Sequence, residues 1–450
     1  MKREWWLASA SALLTLLLGL GLIRWLAPGL LGLPADVAVV RLSKEVPAFY
    51  DNVFRKPDYR SPAVILKDPI VKDRAKPMYP ESLDEGVGPN DLLGFRNRGI
   101  PNVADIIAIG DSQTYGNNVI LTDNWPSRLR AYLADRHPVV YSMATGGWGA
   151  IQYLDMFAKS AVFRPRLVIV AFYTGNDAYD SFVLAYGVKR WAFLRPDTGL
   201  DLGDAPAVRF PPARKGLWHV RFADGVETVF SPAYRLSANR ADDPAIRAGY
   251  AIMWKTARLM AHMAEKRGIH LIFTIIPTKE LVYARKIERA GLDAPPAYHA
   301  LIAAETGHIE TLAGRLRSLS QVHYVDLVSP LQQAALTSER LYPGSFNGHP
   351  TAEGYDLIAR EIARAADGLL PVLPPEGALR IRLPDGRHYR PYLIRNGRLW
   401  VFESVALAVD NGWDIDVAPL LDARDIATMP LQGWIGGVNP ARFGPRTKAP

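Results

Sequence analysis

Residues 167–173 read Leu-Val-Ile-Val-Ala-Phe-Tyr, seven positions with no charged side chain. A strand with one wet face alternates apolar and polar residues. An unbroken apolar run of this length is a strand covered on both faces. The same signature recurs along the chain. Strands are expected at 106–109, 139–143, 270–276 and 323–327, each separated from the next by an amphipathic stretch. Helices are expected at 125–135, 151–162, 248–266, 298–319 and 351–369. Asp123 or Asn124 would cap the first, Gly268 end the third, and Pro350 precede the last. Strands alternating with helices at this spacing specify an α/β fold built on a doubly wound parallel sheet.

The 450 residues allow two or three domains and ample core. There are no cysteines, which excludes disulfides, thiolate nucleophiles and cysteine metal sites. The net charge is +8 without a basic block interleaved with aromatics, so nucleic acid is not an expected partner. At the N-terminus Lys2 and Arg3 precede an apolar stretch over 5–23, followed by Arg24 and a second apolar patch over 25–33. Residues 1–33 are expected to be a transmembrane signal anchor, with the remainder extracytoplasmic, or secreted if the segment is cleaved. Residues 34–103 are Pro-rich and read as a stalk or an irregular lead-in, within which Asp91-Leu-Leu-Gly-Phe-Arg96 reads as the start of a packed segment. The catalytic α/β unit is expected over 104–370. Residues 178–246 interrupt its rhythm as an insertion that carries a hairpin turning at Asp224-Gly225. Beyond a Pro-rich linker at 370–377, the turn dipeptides Asp385-Gly386 and Asn396-Gly397 indicate a small antiparallel β domain over 376–450.

The chemistry gathers where strands end. After the first strand comes Gly110-Asp-Ser-Gln-Thr-Tyr-Gly116, which presents Ser112 on a tight turn before a helix. Parallel α/β sheets bind ligands at this edge, and a helix start supplies free N–H groups there. After the second strand comes Ser142-Met-Ala-Thr-Gly-Gly-Trp-Gly149. After the third comes Tyr173-Thr-Gly-Asn-Asp177, and just before the last helix Asn347-Gly-His-Pro-Thr-Ala-Glu-Gly-Tyr355. Each alone reads as a turn or a cap. All four in order place a hydroxyl, an imidazole and several N–H donors around one sheet edge.

These four blocks resemble those of the SGNH (GDSL-type) hydrolase superfamily, and the resemblance covers about residues 100–370. It implies a flavodoxin-like three-layer sandwich. It also implies that Ser112 is the nucleophile and His349 the general base, with an oxyanion hole from the Ser112 N–H, the Gly147 N–H and the Asn176 side chain. The family usually has an Asp two or three residues before this His. Here those positions hold Asn347 and Phe346. Asn347 can accept a hydrogen bond from the ring, as in cysteine–histidine–asparagine sites, without supplying a charge. A backbone carbonyl or Asp326 is the alternative orienting group.

The implied reaction is acyl transfer at an ester, with no cofactor and no metal. The N-terminal segment, the four blocks and Ile276-Pro-Thr-Lys-Glu-Leu-Val-Tyr283 are together similar to periplasmic O-acetyltransferases of the alginate type. The expected substrate is therefore an O-acetyl ester of an exopolysaccharide, handled by an esterase or O-acetyltransferase. The membrane and an exopolysaccharide biosynthesis machinery are the expected partners. Trp400, Trp413 and Trp434 are candidates to stack on sugar rings. The other readings are a lipase or thioesterase of the same superfamily, or a non-catalytic polysaccharide-binding assembly subunit.

Overall fold

The computed structural model describes residues 65–445, apart from 83, 85, 137, 207–215, 371–375, 384–386, 397, 427–428 and 430. The expected anchor at 1–33, the first part of the lead-in and the Asp385-Gly386 turn lie outside the described residues. Among those described, no helix is long and apolar enough to cross a membrane.

An antiparallel pair, β1 (Ile65–Asp68) and β2 (Lys72–Ala75), comes first. The central sheet then starts with β3 (Ile106–Gly110), β4 (Val140–Ala144) and β5 (Leu167–Tyr173). A separate hairpin follows, β6 (Trp218–Arg221) with β7 (Glu227–Phe230), turning through Gly225 at φ 82°. Then β8 (His270–Ile276) and β9 (Val322–Asp326) complete the sheet. Its order is β4-β3-β5-β8-β9, and every pairing is parallel. Counted within the sheet this is the flavodoxin-like order 2-1-3-4-5. The winding reverses between β3 and β5, so a crevice opens at their C-terminal ends. Ser112 follows β3 directly and so stands at that crevice.

All seven residues of β5 are buried. Successive side chains point to opposite faces, so the strands divide between two cores. Ile107, Ile109, Val168, Val170, Phe172, Leu271 and Phe273 join one apolar cluster. Ile106, Ala108, Leu167, Ile169, Ala171 and Ile272 join the other. The main helices are α1 (Ser112–Tyr115), α2 (Trp125–Tyr132), α3 (Ala150–Ser160), α4 (Asp177–Gly187), α5 (Pro232–Ser237), α6 (Pro244–Arg267), α7 (Pro296–Arg317) and α8 (Ala352–Ala366). Residues of α3, α4 and α6 fill the first cluster, and residues of α2 and α8 the second. Their ends are chemically set. Asn124 caps α2 through the Ser127 N–H, Asp243 caps α6, and Gly268 closes α6 in the left-handed region at φ 61°. Burying each large apolar side chain contributes roughly 1.5–3 kcal/mol, and Ile358 and Ile362 place α8 firmly on the sheet.

The described part of the lead-in is not a spacer. Val71, Leu93, Phe95 and Ile100 belong to the first core, and the Trp148 indole N–H donates to the Asp73 carbonyl at 2.7 Å. The buried Arg96 donates to the carbonyls of Gly88, Gly116 and Val119, which ties this segment to the loop after α1. Proline content gave no hint of that packing.

A C-terminal sheet has the order β13-β10-β11-β12-β14, formed from β10 (Gly377–Arg382), β11 (Tyr389–Arg395), β12 (Arg398–Phe402), β13 (Leu420–Asp422) and β14 (Leu431–Ile435). Its three central strands pair antiparallel as expected. Both edges are parallel, β13 with β10 and β14 with β12. The reason is a crossover: a helix at Val405–Asp410 carries the chain away after β12, and a long connection permits parallel return. Trp400 and Trp413 pack against this domain's own core, and the Trp413 N–H donates to the Phe443 carbonyl at 2.6 Å. Trp434 is 55% exposed, with the Arg390 guanidinium 5.4 Å above its ring.

Candidate active site

β3 ends at Gly110 because α1 folds back onto it. A Cβ there would stand 2.0 Å from Thr114 Oγ1. Asp111 caps α1 by accepting the Gln113 N–H at 2.8 Å, and Gly116 at φ 85° ends it. Ser112 is therefore the first helical residue, whose N–H has no acceptor within its helix.

His349 lies on the loop before α8. That loop is tied from several sides. Gln113 Nε2 donates to the Gly348 carbonyl at 3.2 Å, and Asn118 Nδ2 to the Pro350 carbonyl at 3.1 Å. The buried Lys279 donates through Nζ to the carbonyls of Val229 (2.7 Å), Ser345 (2.8 Å) and Asn347 (3.2 Å). So Ile276–Tyr283, singled out in the sequence, supports the histidine loop from beneath. Burial lowers the Lys279 pKa to about 8.

Across 237 positions, His349 Nε2 stands 2.8 Å from Ser112 Oγ. The alternative acceptor for that hydroxyl, Asp111 Oδ2, is farther at 3.4 Å. On the other side of the ring, Nδ1 is 2.7 Å from Asn347 Oδ1, which also accepts the His349 backbone N–H at 3.1 Å. Asp326 is not the orienting group. Its carboxylate accepts the Val328 N–H and the Ser329 hydroxyl at the start of the helix Val328–Ala335.

The loop after β4 lies against the nucleophile: a Cβ on Gly146 would be 3.7 Å from the Ser112 Cβ. Gly147 is exposed at φ 73°, with nothing within 4 Å of where its Cβ would be. The space beside its Cα is therefore open, and its positive φ is one that most side-chain-bearing residues adopt only with strain. Asn176 occupies the N-cap position of α4 and donates one Nδ2 hydrogen to Asp180 Oδ2 at 2.6 Å. An amide carries two such hydrogens, so one remains for a ligand.

The electrostatics are unusual for a serine–histidine pair. Burial, and secondarily the Arg235 guanidinium, lower the His349 pKa to about 3. Arg235 reaches in from α5, on the insertion. Its Nη2 lies so close to Gly348 that a Cβ there would meet it at 2.5 Å, and Nη1 donates to the Gly175 carbonyl at 3.4 Å. Its guanidinium carbon lies over the rings of Tyr173, 5.5 Å from the centroid, and Tyr234, 5.1 Å from the centroid. Behind the serine, burial pushes Asp111 up to about 7 and Asp180 up to about 6. Asp177 is also raised, by burial first and then by Asp111; it accepts from the Tyr153 hydroxyl and the Tyr173 N–H. The imidazole is thus neutral and able to accept a proton through the ordinary pH range.

Sequence reasoning missed Asn118 and Arg235, and it quoted Lys279 within 276–283 without giving it a role. Asn118 left only a faint trace, as the second residue beyond the glycine that ends the serine block. Among the described residues no group of three or more acidic, histidine or cysteine side chains is placed to hold a metal.

The family model of the GDSL-like lipase/acylhydrolase family matches residues 108–357, more than half of the chain. No curated protein matches it. Among solved structures it is similar to an acetylxylan esterase of Geobacillus stearothermophilus, solved as a catalytic mutant, at 11% identity, covering 59% of this chain and 94% of that one with TM-score 0.33. It is similar to a psychrotrophic esterase of Pseudoalteromonas sp. at 11% identity, covering 59% and 97% with TM-score 0.29. A GDSL-like lipase of Bacteroides thetaiotaomicron matches at 14% identity, covering 59% and 88% with TM-score 0.29.

Proposed function

Because this chain belongs to the GDSL-like lipase/acylhydrolase family, we propose that it is an esterase-type acyl-transfer enzyme with Ser112 as nucleophile and His349 as general base. The observation that carries this is the 2.8 Å approach of His349 Nε2 to Ser112 Oγ, with Nδ1 held by Asn347. Ser112 Oγ attacks the ester carbonyl carbon as its proton passes to His349 Nε2. The oxyanion is received by the Ser112 N–H, the Gly147 N–H and the second Nδ2 hydrogen of Asn176. The tetrahedral intermediate collapses, and the leaving alcohol takes the proton from His349. A second acceptor, water or a sugar hydroxyl, gives its proton to Nε2 and attacks the acyl-enzyme; the second tetrahedral intermediate expels Ser112 Oγ, which takes that proton back from Nε2.

For the substrate we keep the O-acetyl ester of an exopolysaccharide, with the chain anchored by residues 1–33 and its catalytic unit outside the cytoplasm. The apolar N-terminal stretch after Lys2 and Arg3 supports the location. The exposed Trp434 ring supports a sugar-facing surface. The test is turnover of p-nitrophenyl acetate by the full chain beside Ser112→Ala; equal rates would remove the catalytic reading. Acetylated oligosaccharide found by mass spectrometry after incubation with an acetyl donor would select transferase over esterase. Recovery of the full chain in the soluble fraction at its full length would count against the anchor.

A further inference from the structure

We propose that Asn118 is a positioning residue: together with the His349 backbone N–H it holds the Asn347 amide in the sense that leaves the proton on His349 Nδ1, so that two amides together do what a carboxylate does elsewhere. The inference rests on the reading of Ser112 and His349 given above.

A carboxylate beside a histidine has acceptors at both oxygens and imposes the N–H tautomer whichever way it turns. An amide has one acceptor end and one donor end. If Asn347 turned its Nδ2 to the ring, Nδ1 would have to accept, the proton would move to Nε2, and Nε2–H would face the serine hydroxyl with no lone pair to receive its proton. The site therefore works only if the Asn347 amide has one polarity.

The hydrogen bonds define that polarity from two groups that cannot reverse, the His349 backbone N–H at one end and the Pro350 carbonyl at the other. The Pro350 carbonyl can only accept, so the Asn118 atom 3.1 Å from it is Nδ2. Asn118 Oδ1 is then turned to Asn347 and accepts from its Nδ2 at 3.2 Å. Asn347 Oδ1 is left facing His349, where it accepts the backbone N–H at 3.1 Å and the Nδ1 hydrogen at 2.7 Å. Nε2 carries the lone pair toward Ser112 Oγ at 2.8 Å. The chain of polarity runs from a carbonyl to the nucleophile without an ionised group.

Asn118 is itself held unusually firmly. Its backbone is at φ 79°, in the left-handed region that Asn tolerates better than most residues. The carbonyls around it are all engaged: Gly116 and Val119 by Arg96, and Asn117 by the Tyr355 hydroxyl at 3.1 Å. Gly86 packs against its backbone so tightly that a Cβ there would fall 2.6 Å from the Asn118 Cα. Held backbone strain of this kind concentrates at functional sites. The packed lead-in thereby acquires a purpose: it clamps the loop that orients the base.

The test uses Asn118→Gly, which removes the amide and leaves the positive φ unstrained. In the full chain labelled with ¹⁵N in histidine, the His349 signal is identified by its loss in His349→Gln. The parent shows the Nδ1–H tautomer; Asn118→Gly shows a mixture with Nε2–H. Turnover number falls about three- to tenfold at unchanged KM, the fold-change expected for one net hydrogen bond. In an Asn347→Asp background, the introduced carboxylate has no donor end, so adding Asn118→Gly changes the rate by less than about twofold and leaves the tautomer pure. A pure Nδ1–H tautomer in Asn118→Gly, or an equal loss in both backgrounds, overturns the proposal. Full activity of Ser112→Ala would instead remove the reading of the nucleophile, while the tautomer measurement still judges Asn118.

Discussion

Replacing Asn347 by a carboxylate (Asn347→Asp) probes the electrostatics of the base directly. In the native chain the imidazolium is opposed by burial and by Arg235, which lower the His349 pKa to about 3. Asn347 Oδ1 lies 2.7 Å from Nδ1 and supplies a dipole but no charge. A carboxylate there, with charge centres roughly 4 Å apart, attracts the imidazolium by about 4 kcal/mol at an effective dielectric near 20. One pKa unit corresponds to about 1.4 kcal/mol, so the ceiling is about 3 units. The carboxylate's own desolvation and the loss of the Asn347–Asn118 bond take part of this back, and a rise of about 1–3 units is expected. The sign follows. A base works unprotonated, so in the native kcat/KM for p-nitrophenyl acetate His349 should contribute no acid limb above about pH 4. Asn347→Asp should acquire an acid limb with a midpoint between about 4 and 6, set by the raised imidazole pKa. Above pH 7 its plateau should equal or exceed the native one, because the imidazolium formed in the transition state gains a counter-charge. A variant that keeps its activity with no acid limb between pH 4 and 7 would refute the reasoning. So would a plateau lowered more than about 100-fold, the scale of losing general-base catalysis.

Three further outcomes are expected. Asn176→Ala should lower kcat by roughly 10²-fold, about 3 kcal/mol, with KM little changed, if its free amide hydrogen meets the oxyanion; a loss confined to KM would place it in binding instead. Arg235→Met keeps apolar contact with Tyr173 and removes the charge that helps depress His349. Its pH–rate profile should show a higher imidazole pKa, still below 6.5 because burial is the larger cause. Glu305, buried among Thr174 and Thr278, is raised from 4.5 to about 7. Its folded pKa exceeds its unfolded one, so it favours the fold below pH 4.5, and this contribution is lost as pH rises through 7, up to about 3 kcal/mol in all. Urea unfolding at pH 5 and pH 8 should show Glu305→Gln losing that difference; an unchanged slope would remove Glu305 as its source.

Local pattern carried the architecture. β5 and β8 occupy 167–173 and 270–276, the ranges their apolar runs mark out, because a strand buried on both faces needs no information from elsewhere. The Asp224-Gly225 turn was legible for the same reason: its left-handed glycine is a property of two residues. Helix ends were read less well. The first helix stops at Tyr132, short of 135, where a 3₁₀ turn takes over. The packed segment beginning at 91–96 was legible, and Leu93 and Phe95 do join the core; the parallel edges of the C-terminal sheet and the packing of Val71 left no periodic trace, since both depend on where distant chain returns.

The sequence by itself determined the α/β class, the order of the four blocks and the absence of a carboxylate before His349, because each is written in neighbouring residues. It named Ser112, Gly147, Asn176, Asn347 and His349 as candidates, and offered Asn347, a backbone carbonyl or Asp326 as the group that orients the imidazole, without deciding among them or saying which way the amide faces. Tertiary structure alone decided that. The polarity of the Asn347 amide is set at one end by the His349 N–H and at the other by Asn118, 229 positions away, whose own sense comes from the Pro350 carbonyl. An amide has no preferred sense of its own. It takes one from the donors and acceptors the fold brings to its two ends.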